Sequence, residues 1–185
     1  MTIIDNNKLD IDFSTLWDLR IDFAFKRFFA TNDTRRLVSL LNAIFAHKGT
    51  ERVITALTVD NPFLDKESAE DKLSVLDIRA TLADGSIVCI EMHLYGLADF
   101  KYKSVRNWAR IYGEELQEAD AYTELTPVIF VSFLDGAIKD INGQPVENAH
   151  SIFHIMERDS HEILLPDLEM HFINMGKGQM SCMRR

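Results

Sequence analysis

Two apolar runs separated by three turn residues constrain this chain more than any other feature. Leu73 to Leu82 and Ser86 to Leu94 are rich in Val, Ile, Leu and Thr, and Ala83-Asp84-Gly85 lies between them. That order predicts a β-hairpin. The runs carry acids on apolar ground: Val75, Leu76 and Ile78 flank Asp77, while Val88, Cys89, Ile90 and Met92 flank Glu91. Near-continuous apolar runs read as strands covered on both faces, where an ionised acid is costly unless something compensates it.

Loop length decides whether the two acids meet. With a two-residue Asp84-Gly85 turn, Ala83 faces Ser86, Asp77 pairs with Met92, and Asp77 and Glu91 project from opposite faces. With Ala83-Asp84-Gly85 as a type I turn and Gly85 left-handed in a bulge, Leu82 faces Ser86 and Asp77 lies opposite Glu91. Their Cβ atoms would then stand roughly 5 Å apart, and His93, two residues on, would share their face. Carboxylates so placed repel unless a cation sits between them, so this register describes a site for a divalent metal. The alternative is that Asp77 and Glu91 are solvent-side residues of a half-wet sheet.

The chain has 185 residues, 46% of them hydrophobic, with no long biased stretch, which suits one globular domain with an ample core. No apolar stretch is long enough to span a bilayer, and Met1-Thr2-Ile3-Ile4-Asp5 lacks the basic-then-apolar order of a signal peptide. The cytoplasm is therefore the expected compartment, with no membrane partner. Cys89 in a buried strand and Cys182 in a polar tail make neither a disulfide framework nor a metal cluster, so both are expected to be thiols. A formal charge of -9 argues against coating nucleic acid by bulk electrostatics. A nuclease remains compatible, because phosphate contacts need only a local stripe of Lys and Arg.

Along the chain, residues 1–20 read as a lead-in, 21–175 as a single domain and 176–185 as an irregular tail. Phe23, Phe25, Phe28 and Phe29 predict a short core helix over Asp22 to Ala30, with Asp22 and Lys26 four apart. A second helix is capped by Asp33 or Thr34, buries Leu37, Leu40, Leu41, Ile44 and Phe45, and closes at Lys48-Gly49. Arg52 to Val59 reads as a first strand and Asp65 to Lys72 as an exposed loop. Phe100 to Glu118 has helical period, with Tyr102, Val105, Ala109, Tyr112 and Leu116 as the expected buried stripe. Lys103, Arg106, Asn107 and Arg110 then line a basic ridge, either a solvated face or a grip on a phosphate backbone. Pro127 to Leu134 reads as a central strand, Asn142-Gly143-Gln144-Pro145 as a turn, and Ser151 to Met156 and Leu168 to Ile173 as peripheral strands. The order gives a mixed sheet with helices packed on it, an α/β (α+β) fold.

These landmarks together resemble the Rpn family of recombination-promoting nucleases, also described as PD-(D/E)XK nuclease family transposases. The resemblance runs from about Asp22 to Lys177. It takes in Asp22-Phe-Ala-Phe-Lys26, Leu41-Asn42, Lys72, Leu76-Asp77-Ile78-Arg79-Ala80, Asp84-Gly85 and Ile90-Glu91-Met92-His93. It continues through Phe100-Lys-Tyr-Lys103-Ser104-Val105, Trp108 to Tyr112, Tyr122-Thr-Glu-Leu125 and Pro127-Val-Ile129. What it implies is a restriction-endonuclease-like core that cuts DNA with a divalent metal, usually magnesium, with manganese as a substitute. Asp77 takes the place of the motif's first acid and Glu91 of the second, both as metal ligands, and Asp22 could add an acidic group from the first helix. The resemblance favours the three-residue turn. Hard Mg²⁺ independently suits carboxylate oxygens and keeps waters, one of which can serve as nucleophile.

Three departures stand out. The family typically has Gln two residues after the second acid, and wider nucleases have Lys, whereas this chain has His93. Imidazole can orient water, act as a base, take a softer metal, or fail in the role. Lys103 stands where relatives usually carry Arg, keeping the charge but losing the bidentate fork. Family members usually run longer, and the ending Asn174 to Arg185 has no apolar period and reads as truncated or frameshifted. The expected activity is a DNA endonuclease of a recombination or transposition type. In it Asp77 and Glu91 hold Mg²⁺, His93 positions or deprotonates water, and Lys26, Lys103, Arg106 and Arg110 bind DNA. The alternative is a catalytically weakened remnant that binds DNA or a partner chain. A homodimer is one arrangement the sequence leaves open.

Overall fold

The computed structural model describes residues 22–47, 52–60, 78–93, 99–114 and 121–178. The lead-in 1–20, the expected loop 65–72, Asp77, Leu116 and Cys182 lie outside the described residues. Among the described residues one sheet contains β1 (Leu57–Asp60), β2 (Ile78–Leu82), β3 (Ile87–His93), β4 (Val128–Leu134), β5 (His150–Phe153) and β6 (Leu168–Asn174). Its order is β1-β2-β3-β4-β6-β5. The pairs β1/β2, β2/β3 and β5/β6 are antiparallel, while β3/β4 and β4/β6 are parallel. The helices are α1 (Asp22–Phe29), α2 (Arg35–His47), α3 (Phe100–Glu114) and the short α4 (Met175–Gly178). This is the mixed sheet flanked by helices that the element order predicts.

Alternation along β3 divides the core into two layers. Val88 and Ile90 join Phe25 of α1 and Leu37, Leu41 and Phe45 of α2 on one face. Ile87 and Cys89 join Phe100, Trp108 and Ile111 of α3 on the other. Two-sided burial explains why β3 reads as an unbroken apolar run rather than an alternating one. The parallel step from β3 to β4 is bridged by a segment containing α3, the connection that parallel neighbours require.

At the start of α2 the Asp33 carboxylate accepts a hydrogen bond from the Arg35 backbone N–H at 3.3 Å, and Leu37, Leu41, Ile44 and Phe45 are buried as the spacing predicts. Asn42 on the same helix clamps Ile54, donating to its carbonyl and accepting from its N–H, both at 2.8 Å. The expected strand over Arg52 to Val59 therefore begins only at Leu57, because the preceding residues are fastened by that amide instead of by a strand neighbour.

Two expectations are corrected. The buried residues of α3 are Phe100, Ser104, Asn107, Trp108 and Ile111, whereas Tyr102 is 68% and Val105 51% exposed. The true stripe was hidden because two of its members are polar. Ser104 satisfies its hydroxyl on the Phe100 carbonyl at 3.0 Å. The second correction concerns β6, which lies between β4 and the edge strand β5 and is not peripheral. Its Glu169 and His171 suggest a wet strand but are consumed in a buried hydrogen-bonded chain. Beyond β6, the described part of the expected irregular tail continues into α4.

Candidate active site on the hairpin and α3

The β2–β3 turn is the three-residue form. The Gly85 N–H donates to the Leu82 carbonyl at 3.0 Å and the Leu82 N–H to the Ser86 carbonyl at 2.9 Å. Gly85 has φ +88, the left-handed conformation that the bulge requires. Asp84 accepts from the Ser86 N–H at 2.9 Å. Burial pushes the Asp84 carboxyl up, but the Ser86 hydrogen bonds and the charge of Arg52 outweigh it and hold the group below its ordinary value. The resulting register pairs Ile78 with Ile90 and Thr81 with Ile87. Ile78 is the residue after Asp77 and Ile90 the residue before Glu91.

Glu91 is 2% exposed in the middle of the sheet. It lies opposite Ser132 of β4, which in turn lies opposite Phe172 of β6, so it projects to the α3 side. There Lys103 of α3 places its Nζ against Glu91 Oε1 in a close charged hydrogen bond. Glu91 Oε2 is buried without a hydrogen-bond partner, and so is Ser132 Oγ on the neighbouring strand. An orphaned carboxylate oxygen in this setting is the kind of donor a hard cation would use, so Glu91 fits a divalent metal. Among the described residues no group of three or more His, Cys, Asp or Glu is gathered to hold a metal ion, and Asp77 is outside them.

The remaining candidate residues divide. His93 sits on the Glu91 face two residues along, with its ring 4.5 Å from that of Phe100 at 33°, on the same helix turn as Lys103. Thus Glu91, His93 and Lys103 are brought together. Arg106 is exposed on α3, while Arg110 faces Glu114 at 3.6 Å. Asn107, counted in the basic ridge by spacing, is fully buried. Lys26 is half-buried on α1, which packs on the opposite sheet face through Phe25. Asp22 opens α1, and its side chain is outside the described residues.

A second buried polar group escaped sequence reading. On the α2 face, His150 Nε2 meets His171 Nδ1 at 2.9 Å, and His171 Nε2 meets Glu169 Oε1 at 2.5 Å, beneath the Phe45 ring. Burial would raise the Glu169 carboxyl, but the His171 hydrogen bond and the charges of His171, Arg52 and His154 hold it lower than usual. The only sequence signal was Glu169 and His171 two apart on one strand. Nothing local brought in His150.

No described helix is long and apolar enough to cross a membrane. Comparison with curated proteins and with solved structures gave no match. The family model described as PD-(D/E)XK nuclease family transposase matches residues 19–183. The mixed sheet, the helices on both faces and that match agree, and the chain belongs to the PD-(D/E)XK nuclease family transposases, with an α/β restriction-endonuclease-like core.

Proposed function

We propose that this chain is a metal-dependent DNA endonuclease that hydrolyses phosphodiester bonds in recombination or transposition. One observation carries the reading: Glu91, to which the resemblance gives the part of the motif's second acid, is buried on β3 with one carboxylate oxygen unsatisfied. The hairpin register, taken one step past Ile78 and Ile90, would set Asp77 against Glu91, and these two would hold the ion, with Asp22 as a further acid. Mg²⁺ or Mn²⁺ there would supply a polarised water and charge neutralisation at phosphorus. His93, beside Glu91, would orient that water through whichever ring nitrogen its packing on Phe100 leaves toward the site. Lys103, Arg106 and Arg110 would hold phosphates on the α3 side, and Lys26 of α1 would contact the backbone from the other sheet face, against the net charge of the whole.

A second reading has its own support. His93 lies on an aromatic ring and Lys103 closes onto Glu91, as in a remnant that keeps the fold and binds DNA or a partner without cutting. A plasmid-nicking assay in Mg²⁺ and Mn²⁺ separates the two, with wild type beside Asp77→Ala, Glu91→Gln and His93→Gln. The nuclease reading expects cutting by the wild type and a loss of at least about 100-fold in both acid variants. An inert wild type rescued by His93→Gln favours the remnant, and full cutting by Asp77→Ala refutes the site.

A further inference from the structure

Glu91 and Lys103 are unequally exposed partners: the carboxylate side chain is 3% exposed and the lysine 35%. The ammonium has water to return to and the carboxylate has none. We propose that Lys103 is the resident counter-cation of Glu91, pairing with the carboxylate in the metal-free chain and yielding it when a divalent ion binds. This rests on the reading of Glu91 as a metal ligand.

The geometry of α3 makes the arrangement specific. Phe100, Ser104, Asn107, Trp108 and Ile111 face the sheet, which leaves Lys103 at the border of the buried face. Its Nζ lies 5.9 Å from the Phe100 ring centroid and continues to Glu91 Oε1. A charge as deep as Glu91 is strongly unfavourable alone, so removing its cation leaves a deficit that another cation can fill. Lysine fills only one oxygen. Glu91 Oε2 and Ser132 Oγ, on paired residues of neighbouring strands, are both buried without partners. A small hard cation is suited to such oxygens, whereas the ammonium is tethered to a stem that approaches from one side.

Competition follows. An ammonium and a dication within a few ångströms of one carboxylate repel, so binding of one weakens the other. Release would turn Lys103 outward beside the exposed Arg106, where a phosphate could accept it. Lys103 would thus serve the acid in the metal-free chain and the substrate in the loaded one.

Calorimetric titration of the full chain with Mn²⁺ tests it without relying on catalysis. Lys103→Met should bind Mn²⁺ on the order of ten-fold more tightly than wild type, and Lys103→Arg should stay within about three-fold. Glu91→Gln should lose on the order of ten-fold or more. Lys103→Gln keeps a donor for the buried carboxylate without the charge, and shifts in the same direction should Lys103→Met fail to fold. Unchanged or weaker Mn²⁺ binding in both neutral variants, with Glu91→Gln still impaired, overturns the inference and leaves the metal site standing. Glu91→Gln binding as well as wild type removes the metal-site reading, and the counter-cation role falls with it.

Discussion

His150 on the edge strand and His171 on its neighbour share a 2.9 Å hydrogen bond, although both are buried. Glu169 extends the link: its carboxylate accepts a hydrogen bond from His171 Nε2 at 2.5 Å, while His171 Nδ1 faces His150 Nε2. The chain links β5 to the core without any buried nitrogen of His171 going unsatisfied.

Acid should weaken this link. Glu169 is depressed below its ordinary value of 4.5 in the folded chain. A depressed folded pKa contributes stability that is present above the unfolded value and lost as pH falls through the folded one. Urea midpoints should therefore fall as pH drops below about 4.5, the ordinary value, and Glu169→Gln should be less stable at neutral pH with a shallower acid limb. An unchanged acid slope in Glu169→Gln would assign the loss to other carboxylates.

The turn offers a cleaner test of backbone conformation. A Cβ on Gly85 would meet nothing within 4 Å, so its φ of +88 is the whole cost of substitution. Gly85→Ala should lose about 1–2 kcal/mol and Gly85→Asn less, since Asn tolerates the left-handed region. Equal losses for the two variants in chemical denaturation would point away from φ strain.

The hairpin was legible because turn chemistry and side-chain parity are local: one Gly in the loop sets the register of β2 on β3. The apolar face of α2 was legible for the same reason. The α3 face was not, because Ser104 and Asn107 are polar yet buried, and their burial depends on partners outside the helix. Lys103 read as a phosphate grip since spacing places it beside Arg106, while its pairing with Glu91 depends on how α3 rotates against the sheet. His150 and His171 are 21 residues apart and meet only through the β5/β6 register, which no local signal specifies.

Asn42 should prove more important than its partial exposure suggests. Its amide satisfies both the N–H and the carbonyl of Ile54 at 2.8 Å, and Ile54 is itself buried. Asn42→Ala should cost about 2–3 kcal/mol, because it leaves two backbone groups without partners. Asn42→Asp should be no better, since a carboxylate can accept from the N–H but faces the Ile54 carbonyl with no donor. Hydrogen exchange at the Ile54 amide reads this locally; protection preserved in Asn42→Ala would show that another group holds the segment.

Two side chains of α3 fasten the helix to the starts of β4 and β6. Trp108 donates its indole N–H to the Val128 carbonyl at 3.0 Å, and Tyr112 donates its hydroxyl to Asp167 Oδ2 at 2.6 Å. The Val128 N–H bonds the Asp167 carbonyl at 3.0 Å, and the two rings stack at 4.7 Å. Burial and then the Asp167 hydrogen bond push the Tyr112 hydroxyl from 10.0 to about 12. A raised folded pKa gives stability that is complete below the unfolded value and is lost as pH rises from about 10 toward about 12. Tyr112→Phe should therefore flatten the alkaline limb of stability, and Trp108→Phe should cost about 1–3 kcal/mol at neutral pH by orphaning the Val128 carbonyl. Because the rings touch and their partners adjoin, the double variant should lose less or more than the two single losses combined, by about 0.5 kcal/mol or above. Strict additivity in denaturant melts would mean that α3 is held at two independent points.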